Sequence, residues 1–173
     1  MLYAFLRGCA KLFYIVVYNI TVVGKENIPT AKGGYIIASN HVSNNDPPVV
    51  GITFKGKYTF MAKEELFQKN PIFTWLITKL GAFPVKRGAK DGTLGRAKSG
   101  VTLIAAQAKA PVVPVFIKYG RKKFRRNILV SVGEMIPAET FDVDLEDKRS
   151  LKQLSATIMG EIAKLQESAP DVD

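Results

Sequence analysis

The one histidine of the 173-residue chain, His41, stands in the string Asn40-His41-Val42-Ser43-Asn44-Asn45-Asp46. Imidazole titrates close to neutral pH, so a neutral histidine can accept a proton from a hydroxyl at pH 7. Asp46, five residues on, is near enough along the chain to turn back and hold the second ring nitrogen. That bond would fix the tautomer and stabilise the imidazolium as the hydroxyl is deprotonated. A base of this kind activates an acceptor hydroxyl directly, so no Ser or Cys nucleophile is required. Two plainer roles compete. Asp46 precedes Pro47-Pro48 and fits a helix N-cap with proline in the first turn. A single histidine can also be structural or solvated. Asn40 and Asn44 are candidate hydrogen-bond donors beside the pair.

These residues need a strand before them and a fold around them. Tyr35-Ile36-Ile37-Ala38 is an apolar run without alternation, which predicts a strand buried on both faces and ending at Asn40-His41. Further strands are predicted at 21–23, 58–61, 83–85, 112–117 and 128–132. Helices are predicted at 64–80, with a break near Pro71, at 99–109, and at 148–166. The last places Leu151, Leu154, Ile158, Ile162 and Leu165 on one stripe. Strands alternating with helices predict an α/β fold with a mostly parallel central sheet flanked by helices. In such sheets ligands bind in the crevice beyond the C-terminal ends of the strands, where His41 stands.

Composition removes several classes. A chain with 47% hydrophobic and 23% charged residues is neither disordered nor collagen-like. One Cys makes no disulfide framework, and one His with one Cys makes no zinc site of three or four N/S ligands. The net charge of +10 favours anionic partners. It is unevenly placed: residues 1–126 carry +16, and residues 127–173 carry −6. Lys118–Arg126 holds six cations and no acid, a loop suited to lipid phosphates, an acidic protein or nucleic acid. Two aromatics within that run, Tyr119 and Phe124, are thin support for base stacking, and a nucleic-acid partner is not favoured.

The chain opens with a segment suited to a membrane surface. From Leu2 to Tyr18 only Arg7 and Lys11 are charged, four apart and so on one helical face. Leu2, Phe5, Leu12 and Phe13 supply apolar bulk. A helix of this length is roughly 25 Å long, short of the roughly 30 Å hydrocarbon core of a bilayer. An interfacial helix with its apolar side down and cations toward lipid phosphates fits better than a span. A first helix packed on the core is the other reading. The expected division is residues 1–19 as a membrane-associating helix and 20–173 as one domain.

The string around His41 resembles the His-x4-Asp motif of the glycerolipid acyltransferases, specifically the 1-acylglycerol-3-phosphate acyltransferase family. Other segments extend the resemblance in family order. Thr21-Val22-Val23-Gly24-Lys25-Glu26-Asn27-Ile28-Pro29 is similar to the lead-in strand. Met61-Ala62-Lys63-Glu64-Glu65-Leu66, Pro71 and Gly81-Ala82-Phe83-Pro84-Val85-Lys86-Arg87 resemble the second block, and Ala110-Pro111-Val112-Val113-Pro114-Val115 the fourth. The resemblance implies His41 as general base, Asp46 as its orienter, and Lys63 and Arg87 as ligands of the acceptor's phosphate. It implies acyl transfer from acyl-CoA or acyl carrier protein to 1-acyl-sn-glycerol 3-phosphate (lysophosphatidic acid), giving phosphatidic acid for phospholipid biosynthesis. No metal or redox cofactor is implied, and the implied location is the cytoplasmic face of a membrane.

One block is missing. The family's third, a Phe-Pro-Glu-Gly-Thr-Arg-like string, has no counterpart: Arg87-Gly88-Ala89-Lys90-Asp91 runs straight into Gly92-Thr93-Leu94-Gly95, which resembles the family's segment C-terminal to that block. A parallel return needs a crossover of at least about 10–12 residues, and only a Gly-rich turn separates Val85 from the Lys98 region. A gap is therefore expected near Asp91–Gly92, and a true deletion there predicts a damaged sheet and little activity. The alternatives to an active enzyme are a lipid-binding module of the same fold and, less suited to the apolar first helix, a basic nucleic-acid-binding domain.

Overall fold

The alternating pattern is realised as helices and strands in a computed structural model, which describes residues 2–30, 33–54, 56–68, 70–85, 96–122 and 125–172. In chain order these are α1 (Leu2–Val17), β1 (Tyr18–Val23), β2 (Ile36–Ser39), α2 (Asp46–Thr53), β3 (Phe60–Lys63), α3 (Pro71–Lys79), β4 (Ala82–Val85), α4 (Arg96–Ala108), β5 (Val112–Tyr119), β6 (Arg126–Val132) and α5 (Lys148–Glu167). They belong to two compact units. One is made of described residues of Met1–Val17 and Ser43–Thr93, the other of described residues of Tyr18–Val42 and Leu94–Asp173.

The larger unit holds a four-stranded sheet in the order β1-β6-β5-β2. β1 runs parallel to β6 and β2 parallel to β5, while β5 and β6 are antiparallel. The strands buried on both faces are β5 and β6, the apolar centre of the sheet. β2 is outermost among the four and only half-buried apart from Ala38. This corrects the expectation for Tyr35–Ala38: an edge strand keeps one flank outside the sheet, however apolar its residues. The core gathers Ala38, Val112 and Phe116 of the sheet with Ala105 and Ala106 of α4, Phe141, and Leu154, Ile158 and Ile162 of α5. The α5 stripe faces inward, as its 3–4 residue spacing requires, and the Asp147 side chain caps its start by accepting from the Arg149 amide at 2.9 Å.

The smaller unit holds α1, α2, α3 and a separate parallel pair, β3 with β4. The mostly parallel pattern is present, but the strands fall in two sheets rather than one. Pro71 does not kink a long helix; it occupies the first turn of α3, with Asn70 as N-cap accepting from the amides of Ile72 and Phe73 at 2.9 and 3.2 Å. Residues 64–67 form a short 3-10 turn before it. The junction at Asp91–Gly92, where the third block would lie, is outside the described residues.

α1 ends at Val17, and Tyr18 and Asn19 already belong to β1. The helix packs within the smaller unit through its polar side. Arg7 donates from Nε to the carbonyl of Gly51 at 3.0 Å and from Nη2 to that of Phe54 at 2.6 Å, satisfying carbonyls at the end of α2. The buried Tyr14 hydroxyl donates to Asn45 Oδ1 at 3.0 Å. The opposite side carries Phe5, Leu12, Phe13 and Val16, each 57–67% exposed. The helix thus turns polar groups inward and apolar ones outward, the reverse of a helix buried by a core.

Candidate active site

His41 stands two residues past the end of β2, and the chain there is anchored by its neighbour. Asn40 Nδ2 donates to the carbonyl of Ile117 at 2.9 Å, and its Oδ1 accepts from the amide of Ile117 at 2.7 Å. Both backbone groups of one strand residue point to the same side. β2 ends at Ser39, paired with Val115, so the Asn40 side chain supplies the next rung of the ladder to β5. Asn40 therefore spends its amide on backbone and fixes the peptide that leads into His41. His41 itself is exposed, and Val42 beside it is also exposed.

Asp46 is held in the other unit. It is 2% exposed, one of few buried polar side chains among the described residues. Its Oδ2 accepts from the amide of Ser43 at 2.9 Å, while Ser43 Oγ accepts from the amide of Asn45 at 3.1 Å. The turn Ser43–Asp46 is thus wound around the carboxylate, and Tyr14 steadies Asn45 from α1. The N-cap position of α2 is taken by Asn45, and Asp46 is the first helical residue with Pro47 next. The alternative role of Asp46 as the cap itself is not the one adopted. Asn44 is exposed in this turn.

His41 lies in one unit, in its Tyr18–Val42 segment, and Asp46 lies in the other, at the start of α2. A hydrogen bond between them is part of the proposed function. Lys63 is the exposed last residue of β3, paired in register with Val85 at the C-terminal end of that parallel pair. Arg87 lies outside the described residues. Of the membrane-facing candidates, Phe5, Leu12 and Phe13 are exposed on α1, Lys11 is exposed, and Arg7 is turned onto α2. Leu2 opens the helix, but its side chain is outside the described ones. Among the described residues no helix is long and apolar enough to cross a membrane.

Three contributors were missed from sequence. Tyr14 and Ser43 hold the Asp46 turn, and Ile117 holds Asn40. Ser43 is part of the motif string and could have been read as a local turn former. The other two act over 31 and 77 residues and leave no local signal.

Comparison with known proteins agrees with this reading of the fold. Residues 19–94 match the family model described as Acyltransferase. A 1-acyl-sn-glycerol-3-phosphate acyltransferase of Streptococcus pneumoniae is 37% identical over 89 residues, covering 50% of this chain and 33% of that protein. The chloroplastic 1-acyl-sn-glycerol-3-phosphate acyltransferase LPAT1 of Arabidopsis thaliana is 29% identical over 129 residues, covering 57% of this chain and 35% of its own. The matches thus span about a third of the length of these curated relatives. The crystal structure of the 1-acyl-sn-glycerophosphate acyltransferase PlsC from Thermotoga maritima superposes with a TM-score of 0.65 at 21% identity, covering 98% of this chain and 81% of that one. That likeness establishes the α/β fold. Over part of its length the chain is thus similar to acyltransferases, 1-acyl-sn-glycerol-3-phosphate acyltransferases among them.

Proposed function

We propose that the chain transfers a fatty acyl group from a thioester to the free hydroxyl of 1-acyl-sn-glycerol 3-phosphate, giving phosphatidic acid. The observation that carries the reading is the double anchoring of the His-x4-Asp string. Asn40 ties its start to Ile117, and the Ser43 amide ties the buried Asp46 at its end. A base and its orienter need such anchoring, because a misplaced base loses the rate gain of positioned proton transfer.

In this reading a ring nitrogen of His41 takes the hydroxyl proton as the oxygen attacks the thioester carbonyl carbon. Asp46 accepts from the other ring N–H and stabilises the imidazolium. The carbon–sulfur bond then breaks, the thiolate leaves with the proton held by His41, and the new ester remains on the glycerol. Lys63 and Arg87 pair with the substrate's phosphate. The donor is acyl-CoA or an acyl carrier protein, reaching the site from the cytoplasmic side. The outward apolar face of α1 seats the enzyme on the membrane that holds its lipid substrate and product. The test is formation of phosphatidic acid from labelled 1-acylglycerol 3-phosphate with each acyl thioester. Product with either donor supports the reading, and none with both removes it.

A second reading is favoured by one observation, the absence of a Glu-Gly-Thr-Arg-like string between Val85 and Val112. On that reading the chain is a lipid-binding module of the same fold. It predicts vesicle binding with no product in the same assay.

A further inference from the structure

The flank of α1 beside its apolar face is cut by an open groove of about 530 Å3, within the roughly 300–1,000 Å3 of small-ligand sites. Its walls carry Arg7 and Lys11 of α1 and Lys57 of the loop before β3, and among the described residues no carboxylate lines it. We propose that this groove holds the phosphate of an anionic phospholipid headgroup when α1 lies on a bilayer. The proposal rests on the membrane seating of α1 and adds a specific lipid site to it.

Five features make the groove a formed site rather than a scatter of surface cations. Arg7 is fixed by its bonds to Gly51 and Phe54. The loop bearing Lys57 is tied to α1 by the Tyr3 hydroxyl, which accepts from the Tyr58 amide at 3.2 Å and faces the Gly56 carbonyl at 3.4 Å. Lys57 Nζ lies 6.0 Å from the centroid of the Tyr3 ring, which keeps the cation over the groove. Gly56, at φ +123°, makes the turn that aims it there. The lining is also bare where a headgroup needs room. It is formed by Ala4 and Gly8, and a Cβ at Gly8 would meet nothing within 4 Å. Packing does not call for a glycine inside this helix, where it weakens the helix; an open lining does.

The position fits a bilayer surface. Lys11 and Leu12 are consecutive, so they point roughly 100° apart around the axis. With Leu12 and Phe5 in the acyl region, Lys11 and the groove lie at headgroup depth. Each cation near an anionic surface raises affinity about fivefold.

The test is flotation of the full chain with phosphatidylcholine vesicles, with and without phosphatidylglycerol. The wild type is expected to prefer the anionic vesicles. A Lys11→Gln/Lys57→Gln double variant is expected to lose about 25-fold of its affinity for them while its affinity for neutral vesicles holds. A Lys148→Gln/Arg149→Gln variant, of equal net charge, is expected to lose less than about twofold in screening salt. Gly8→Leu, which fills the lining and leaves every charge in place, is expected to act like the first variant. Excess inorganic phosphate is expected not to compete; competition would make the occupant a free phosphate and overturn the lipid assignment. Equal binding to both vesicle types, or equal losses in the two charge variants, overturns the groove and leaves the seating of α1 intact. No binding to any vesicle overturns both.

Discussion

Replacing Asn40 tests the anchoring of the candidate base most directly. Its amide makes two hydrogen bonds to one residue, Ile117, which is 1% exposed. Asn40→Ala leaves the amide and carbonyl of Ile117 without those partners at the end of the β2–β5 pairing. An unsatisfied buried group costs about 1–3 kcal/mol, and water reaching the half-buried Asn40 side lowers that figure. The expected loss is about 3 kcal/mol in total. Asn40→Asp separates geometry from size. The new carboxylate can still accept from the Ile117 amide, but it faces the Ile117 carbonyl with no proton to give. At neutral pH the variant is therefore expected to be destabilised about as much as the alanine. The fold favours the protonated form, so the defect shrinks as pH falls and the acid regains a donor. Urea unfolding followed by circular dichroism, at pH 7 and pH 4, reads both effects. Acyl transfer by the remaining folded fraction is expected to drop as well, because the peptide before His41 is no longer held. An Asn40→Ala variant within about 0.5 kcal/mol of wild type would refute the view that this side chain completes the strand pairing.

Other positions give equally direct outcomes. Gly81 has φ +91°, and a Cβ there would lie 2.3 Å from the Tyr58 carbonyl oxygen next to the β3–β4 pairing; Gly81→Ala is expected to cost more than about 2 kcal/mol, and an unchanged melting temperature would contradict this. Arg7→Met leaves the carbonyls of Gly51 and Phe54 without their charged donor; a loss of about 2 kcal/mol and faster amide exchange in α1 are expected, against unchanged exchange if α1 is held by apolar packing alone. The Lys118 hydrogen bond, followed by the Val172 amide and the charges of Lys118 and Arg121, holds the Asp171 carboxyl below its ordinary 3.8. A lowered folded pKa stabilises the fold above 3.8 and ceases to do so as pH falls through the lowered value. The tail around Val172 is therefore expected to stay docked at pH 5 and loosen on stronger acidification; an unchanged Val172 amide resonance throughout would contradict that.

Much of the architecture is legible in the chain because its periodicities are clean. The α5 stripe of Leu154, Ile158 and Ile162 and the apolar runs of β5 and β6 announce their elements and their burial. The place of β2 at the edge of its sheet is not legible, because apolar content does not say whether a strand gains a neighbour on its second flank. Nor is the direction in which α1 faces. Its tyrosines and Arg7 suit either side, and only the carbonyls at the end of α2 decide the matter. The candidate site shows the same limit. His41 and Asp46 are visible as a spacing of residue types. The groups that hold the string, Ile117 and Tyr14, come from 77 and 31 residues away, and tertiary contacts of that range carry no local pattern.

The most direct test of the central claim compares the wild type with His41→Ala in the production of phosphatidic acid from 1-acylglycerol 3-phosphate and an acyl thioester. Urea unfolding of the variant, followed in parallel, establishes that it is folded before the activities are compared. The account predicts product from the wild type and a fall of about 100-fold or more in the variant, the scale of positioned proton transfer. A folded His41→Ala chain retaining activity within about tenfold of the wild type would contradict the account, because a base that can be removed at so small a loss is not the base of the reaction.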